Sequence, residues 1–241
     1  MLLWVSLGPV LLLWIVLSLI IRFRQSLLVT TVAGMKEALF VFAHPDDETM
    51  FFTPTILLLH KNSVKVHLLC LSDGDFDGLG KTRGKEFDKV SAALGVFRHE
   101  IVNDKDLRDG PQIWPIDAVG RAVSDYMSRN PRIGAVFTFD EHGVSGHPNH
   151  VSVYRGVVDL KKNGTITSSV YFLRSVNILR KYIPPLDILL SLFDSPILAV
   201  NTQDPLLSLR IMRLYHSQNV WFRKLFSVFS RYSYVNDYIS S

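Results

Sequence analysis

The stretch Glu37-Ala38-Leu39-Phe40-Val41-Phe42-Ala43-His44-Pro45-Asp46-Asp47-Glu48 decides the fold. From Glu37 to Ala43 the apolar run shows no alternation with polar residues, which predicts a strand buried on both faces. It stops abruptly at His44-Pro45 and gives way to three acids. Further strands are predicted over Val64 to Leu71, near Glu100 to Val102, over Ile133 to Phe139 and over Ser169 to Leu173. Helical stretches separate them: Pro54 to Lys61, Arg83 to Leu94 with Gly95 as C-cap, Ile116 to about Ser128, and His147 to about Lys162. Strands alternating with helices through short loops predict an α/β fold, a three-layer, Rossmann-like, mostly parallel sheet. Right-handed crossovers then place the carboxyl ends of the strands on one edge, where such sheets bind ligands. The polar clusters at His44, Asp73 and Asp140 all fall there.

Outward from this core the composition sets limits. The chain has 241 residues, 48% of them hydrophobic, with a formal net charge of +4 and a sequence pI of about 9.2. That length supports one substantial domain. A basic balance suits nucleic acid or an anionic membrane. The membrane is preferred, and no nucleic acid is expected, because the basic residues near the ends stand beside apolar or aromatic ones. The single cysteine, Cys70, lies in an apolar run, which excludes an intramolecular disulfide and predicts a buried, inert thiol.

Met1 to Ile21 carries no charge and then meets Arg22 and Arg24. About 20 apolar residues in a helix span a bilayer core. A cleaved signal peptide competes, but the basic n-region it needs is missing. A transmembrane anchor is therefore expected over residues 1–24, and the positive charge after it predicts a cytoplasmic catalytic domain. The sequon Asn163-Gly164-Thr165 matters only if that domain is luminal. A catalytic domain is expected over 36–182 and a helical C-terminal extension over 183–241. Within the extension, Ile183 to Val200 is broken by prolines and acids, a poor second span. Leu206 to Ile239 mixes arginines with Trp221, Phe222, Phe226 and Phe229, which fits a membrane-interface helix or one packed on the sheet.

His44 and Asp47 stand three residues apart where the first strand ends, and His147 and His150 stand three apart at the start of a helix opened by Pro148. Two histidines and one aspartate leave a fourth position for water, the pattern of a catalytic zinc site. Nitrogen-rich ligation argues against magnesium or calcium. A capped turn explains a lone His-Asp pair equally well; two such clusters on one sheet edge favour the metal.

The run Ala43 to Glu48, the run Gly146-His147-Pro148-Asn149-His150 and Arg83-Gly84-Lys85-Glu86 resemble the LmbE-like/PIG-L family of zinc-dependent de-N-acetylases. Thr138 to His147 and Leu173 to Tyr182 resemble its eukaryotic branch. The resemblance implies a substrate, N-acetylglucosaminyl-phosphatidylinositol, and a place, the cytoplasmic face of the endoplasmic reticulum, in the second step of GPI-anchor synthesis. It also implies Zn2+ (or another divalent transition metal) on His44, Asp47 and His150, Asp46 as general base, His147 as second catalytic group and Arg83 as a substrate contact. On these roles Asp46 takes the proton of a water activated by zinc, and His147, as imidazolium, stabilises the oxyanion or protonates the amine. Many bacterial relatives carry Asp where Asn149 stands, so the charge on His147 is open. Glu48 reads as a helix-start carboxylate or an outer partner of the site, and His142, in the approach to His147, as a candidate substrate contact. A glycosyltransferase is disfavoured because no Gly-rich phosphate loop follows the first strand. A deacetylase of another N-acetyl amino sugar and an inactive membrane scaffold remain as alternatives.

Overall fold

The structure, a computed structural model, describes residues 36–184 and 206–241 continuously, with scattered positions between 16 and 34 and between 187 and 204. Among these residues the strands β1 (Glu37–Phe42), β2 (Lys65–Cys70), β3 (Arg98–Ile101), β4 (Ile133–Phe139), β5 (Ser169–Leu173), β6 (Ile197–Val200) and β7 (Val235–Ser240) form one sheet. Its order is β3-β2-β1-β4-β5-β7-β6. From β3 to β5 all neighbours are parallel, and β7 runs antiparallel to both β5 and β6.

All six residues of β1 are buried. Alternate side chains point to opposite faces of a strand, so both faces of the sheet are covered here. Aromatic rings run across the central strands. Phe40 and its register partner Phe137 stack at 4.9 Å, and Phe137 stacks on Tyr171 at 4.8 Å. The helices are α1 (Thr53–Lys61), α2 (Gly80–Ala93), α3 (Ile116–Arg129), α4 (Pro148–Lys162), α5 (Ile178–Tyr182), α6 (Leu207–Met212) and α7 (Trp221–Phe229). The mostly parallel α/β architecture expected from the sequence is present. Cys70 is free and buried, and burial pushes its thiol pKa up.

The topology also says where a ligand goes. β1 pairs with β2 on one side and β4 on the other, and the chain leaves β1 toward β2. The loops after β1 and β4 therefore diverge, opening a crevice at their carboxyl ends.

The expected helical extension over 183–241 needs correction, since β6 and β7 belong to the sheet. Asn236 and Asp237 disguise β7 in the sequence, yet both are fully buried with partners. Asn236 Nδ2 donates to the Phe51 carbonyl at 2.7 Å, and its Oδ1 accepts from Thr55 Oγ1 at 2.9 Å, tying β7 to the start of α1. Asp237 and Asp187 flank the buried guanidinium of Arg231 at 2.7 and 2.6 Å. The anchor expected over residues 1–24 falls mainly outside the described residues. Positions described between Val16 and Thr30 are helical; Leu28 is buried in the core, and Ile20 and Ile21 lie against Val200 and Val235. Among the described residues, no helix is long and apolar enough to cross a membrane.

Replacing Asn236 by alanine removes the Nδ2 donor from the Phe51 carbonyl and leaves the Thr55 hydroxyl with Tyr238 as its remaining partner. Buried unsatisfied groups cost roughly 1–3 kcal/mol each. Asn236→Ala is therefore expected to lower the thermal unfolding midpoint by several degrees. An unchanged midpoint in a melting curve would show that β7 is not tied to α1 in this way.

Candidate active site

Past β1 the chain turns at Pro45-Asp46, where Asp46 takes a φ of 114°, strained for any residue with a side chain. Such strain costs about 1–3 kcal/mol and persists only where neighbours over-determine it. Glu48 does so from below. Its Oε2 accepts the Asp46 N–H at 3.1 Å, while its Oε1 accepts Thr49 Oγ1 and the Tyr215 hydroxyl, each at 2.8 Å. Hydrogen bonds to a charged group contribute about 1.5–3 kcal/mol each, enough to offset the turn. Burial pushes the Glu48 carboxyl up to about 7 against these donors.

Asp47 folds back over the strand end. Its Oδ2 accepts the backbone N–H groups of Ala43 and His44 at 3.1 and 2.9 Å. The same oxygen lies 3.7 Å from His44 Nδ1, and Oδ1 lies 3.3 Å from His150 Nε2. Burial opposes ionisation of this carboxyl, but His150 and His44 outweigh it and hold its pKa well below the usual range.

Hydrogen bonds assign the tautomers of the three histidines. His44 Nε2 lies 3.0 Å from Asp109 Oδ1 and 3.0 Å from Asn149 Oδ1. Neither oxygen carries a hydrogen, so Nε2 donates; Asn149 is oriented by its Nδ2, which donates to the Gln112 carbonyl at 2.8 Å. His150 Nδ1 donates to the Gly143 carbonyl at 3.0 Å. Each ring turns its other nitrogen toward Asp47, a nitrogen left bare when the imidazole is neutral; against burial, Asp109 and Asp47 raise the pKa of His44. His147, which caps α4, differs: its Nδ1 accepts the Asn149 N–H at 3.3 Å, so the proton of its neutral ring sits on Nε2. Phe139 stacks flat on His150 at 4.2 Å. Gly143 has a φ of 58°, and a Cβ there would meet His150 Cβ at 2.7 Å, so only glycine lets this loop close on the imidazole.

One nitrogen from each of His44, His147 and His150 lies within 4.8 Å of the others. The three imidazoles alone make a compact donor set, but both nitrogens of neutral His147 are already assigned, one accepting and one protonated. His44, Asp47 and His150 instead bring two bare nitrogens and an ionised carboxylate together, each ring steered by an outer oxygen. That donor chemistry fits a divalent transition metal with a position left open.

Asp46 lies beside this set, fully enclosed, and burial pushes its carboxyl up against the pull of Arg223 and Arg83. Its Oδ2 lies 3.1 Å from Arg223 but receives no well-aligned hydrogen bond. Arg83 lines the same cavity, although its guanidinium is committed elsewhere. It donates to the Gly74 and Pro45 carbonyls at 2.9 and 2.5 Å and stands 3.5 Å from both Asp46 and Asp109. In this position it holds the strained turn and Asp109. In the sequence Asn149 leaves the charge on His147 open; in the fold burial, with His150 and His44, pushes that pKa down to about 4. The Asn149 side chain serves His44 rather than His147. His142 is exposed beside Glu141 and lies away from the histidine cluster.

The cavity over the histidines, of about 320 Å³, is closed on its far side by Lys181, Tyr182, Phe222, Arg223 and Phe226 from α5 and α7. A larger one of about 610 Å³, lined by Ser72, Asp73, Asn103, Asp104 and Arg108, shares Asp109 but reaches none of the histidines. The histidines and Asp47 line the smaller cavity. Asp109, Tyr215, Lys181 and Arg223 escape sequence reasoning. Asp109 stands in a loop beside Asp104 and Asp106, and no local spacing singles it out.

A model of the PIG-L family, described as GlcNAc-PI de-N-acetylase, matches residues 39–161. A probable N-acetylglucosaminyl-phosphatidylinositol de-N-acetylase of Schizosaccharomyces pombe is 38% identical, covering 88% of this chain and 96% of the relative. The N-acetylglucosaminyl-phosphatidylinositol de-N-acetylase of Bos taurus is also 38% identical, over 84% of this chain and 83% of its own. Among solved structures, N,N'-diacetylchitobiose deacetylase from Pyrococcus horikoshii aligns with a TM-score of 0.61 at 18% identity, covering 86% of this chain and 84% of that one. At that identity the likeness is one of fold.

Outer partners that orient metal ligands typically change affinity by about 10–100-fold. Asp109→Ala is accordingly expected to weaken zinc binding by about that factor, measured by competition with a chromogenic chelator. Affinity equal to wild type would remove Asp109 from the site.

Proposed function

The chain belongs to the PIG-L family of GlcNAc-PI de-N-acetylases, and from that premise we propose that it hydrolyses the N-acetyl group of N-acetylglucosaminyl-phosphatidylinositol. The products are glucosaminyl-phosphatidylinositol and acetate, in the second step of GPI-anchor biosynthesis. What carries this conclusion is the division among the histidines. His44 and His150 present bare nitrogens toward Asp47, whereas His147 presents an N–H.

His44, Asp47 and His150 would hold the ion, which we take to be zinc on the strength of two nitrogens, one carboxylate and an open position. When bound, such an ion supplies Lewis acidity and lowers the pKa of water. Asp46 takes the proton of the attacking water, its Oδ2 being the buried oxygen with no aligned donor. Arg83 and Arg223 keep that carboxylate in place from either side. His147 donates its Nε2–H to the oxygen that becomes negative as the acetamide carbonyl is attacked. The C–N bond then breaks, and the proton held on Asp46 passes to the departing amine. Atoms balance: water adds to the acetyl carbon, and the sugar nitrogen leaves as a free amine.

The same proposal places the protein in the endoplasmic reticulum membrane, with the catalytic domain on the cytoplasmic side. Support comes from the apolar residues 1–21 with Arg22 and Arg24 behind them. The surfaces of α5 and α7 add to it, since Ile178, Leu179, Trp221 and Phe222 stand between 52% and 72% exposed on them. Aromatic side chains beside lysines and arginines suit a lipid headgroup layer.

Purified protein is expected to release acetate from N-acetylglucosaminyl-phosphatidylinositol, to stop after chelation and to recover with zinc. Asp46→Asn should lower kcat by about 10²–10⁴, the usual worth of a positioned base. Release that survives both His44→Ala and Asp47→Ala would overturn the assignment. For topology, Asn163 is exposed and should stay free of glycan in cells; a glycan on it, seen as an enzyme-sensitive mobility shift, would place the domain in the lumen.

A further inference from the structure

Three cations line the cavity, and they are not equivalent. Arg83 is enclosed and divided between two carbonyls and two carboxylates. Arg223, from the first turn of α7, meets one carboxylate, Asp46, through one terminal nitrogen and keeps its side chain 23% exposed. Lys181, at the end of α5, has no carboxylate within ion-pair reach among the described residues. Its ammonium lies over the rings of Phe226 and Tyr182, 5.5 and 6.0 Å from their centres, with only the Val144 carbonyl as acceptor at 3.5 Å. A partly buried ammonium without a counter-ion is costly, and one that faces a cavity is relieved when an anion enters.

The cavity is therefore divided in charge. Asp47 and Asp109 belong to the histidine end, Lys181 and Arg223 stand with Tyr182, Phe222 and Phe226, and Asp46 lies where the two meet, 3.1 Å from Arg223. The substrate has the same division. Its acetamido sugar must meet the histidines, and its phosphodiester, with one negative charge and two free oxygens, lies toward the lipid. A guanidinium fork can take two phosphate oxygens at once, and an ammonium adds a point charge. At about 320 Å³ the cavity has space for a sugar ring rather than a whole glycolipid, which leaves the phosphodiester at its rim.

We propose that Arg223 and Lys181 form the subsite that receives the phosphodiester of the substrate, a role that rests on the deacetylase assignment above. Arg223 then joins the two ends of the site, touching the base through one nitrogen and offering its remaining N–H groups to phosphate. α7 lies outside residues 39–161, so this recognition is supplied by a part of the chain beyond the family match.

The test uses two water-soluble substrates, N-acetylglucosaminyl-inositol with and without a glycerophosphodiester on the inositol. Full-length protein is assayed for acetate release, comparing wild type with Arg223→Gln, Arg223→Lys and Lys181→Met. The ratio of kcat/KM for the phosphodiester substrate to that for the phosphate-free one is expected to fall about tenfold or more in Arg223→Gln and Lys181→Met, mainly through KM. Arg223→Lys should recover part of the ratio, because it keeps the charge and loses the fork. Lys181→Met keeps an apolar stem against Phe226 and does not touch Asp46, so it isolates the phosphate effect. An equal loss on both substrates, or no loss on either, from an active wild type would overturn the subsite and leave the deacetylase assignment standing. Absence of acetate release by wild type from N-acetylglucosaminyl-phosphatidylinositol itself would instead overturn the assignment.

Discussion

Asp47 closes the end of β1 by accepting two of its backbone N–H groups and, in the same act, turns its carboxylate toward His44 and His150. Strand termination and the placement of this carboxylate between two imidazoles are one interaction here. A buried carboxylate with two backbone donors cannot swing away without exposing unpaired amides, so the donor geometry inherits the rigidity of the central strand. The neighbouring Asp46 sits in the same turn. Its backbone is forced to positive φ, and its side chain stands apart from that of Asp47. Glu48, Thr49 and Tyr215 hold the turn from beneath.

The histidines show how two of the same side chain receive one task and a third another. No property of imidazole separates them; the partner on the far nitrogen does. Asp109 and Asn149 fix His44, the Gly143 carbonyl fixes His150, and a backbone amide reverses the tautomer of His147. A ring that is neutral and protonated on Nε2 serves as a hydrogen-bond donor to an oxyanion. It needs no positive charge for this, which agrees with an asparagine rather than an aspartate at position 149.

Much of this was legible in the sequence because it is local. The buried run Glu37 to Ala43, the two His-x-x-Asp/His spacings and the helix opened by Pro148 each state their geometry within a few residues. Glu48 could be read either as an outer partner of the site or as a helix-start carboxylate, and its bonds to the Asp46 N–H and Tyr215 become visible only in the fold. What was not legible depends on tertiary placement. Asp109 reaches His44 from a loop rich in similar acids, and Tyr215 finds Glu48 across 167 positions. Arg223 looked like one basic residue among several on an aromatic helix, and only the packing of α7 over the cavity turns it inward. β7 hid for a related reason: Asn236 and Asp237 break the apolar alternation of a strand, and their burial makes sense only once Thr55, Phe51 and Arg231 stand opposite them.

The late entry of these partners has a bearing on how the protein is made. Strands β1 to β5 and the histidines leave the ribosome well before Tyr215, Arg223 and Asn236. Until those arrive, the Glu48 carboxylate lacks its tyrosine, the Phe51 carbonyl lacks its donor, and the Asp46 turn is braced from one side only. The turn at Asp46 is therefore completed by residues that are synthesised last. β7 and α7, which close over the loops after β1, come at the end of the chain, so the most strained part of the fold is secured only when synthesis is nearly complete.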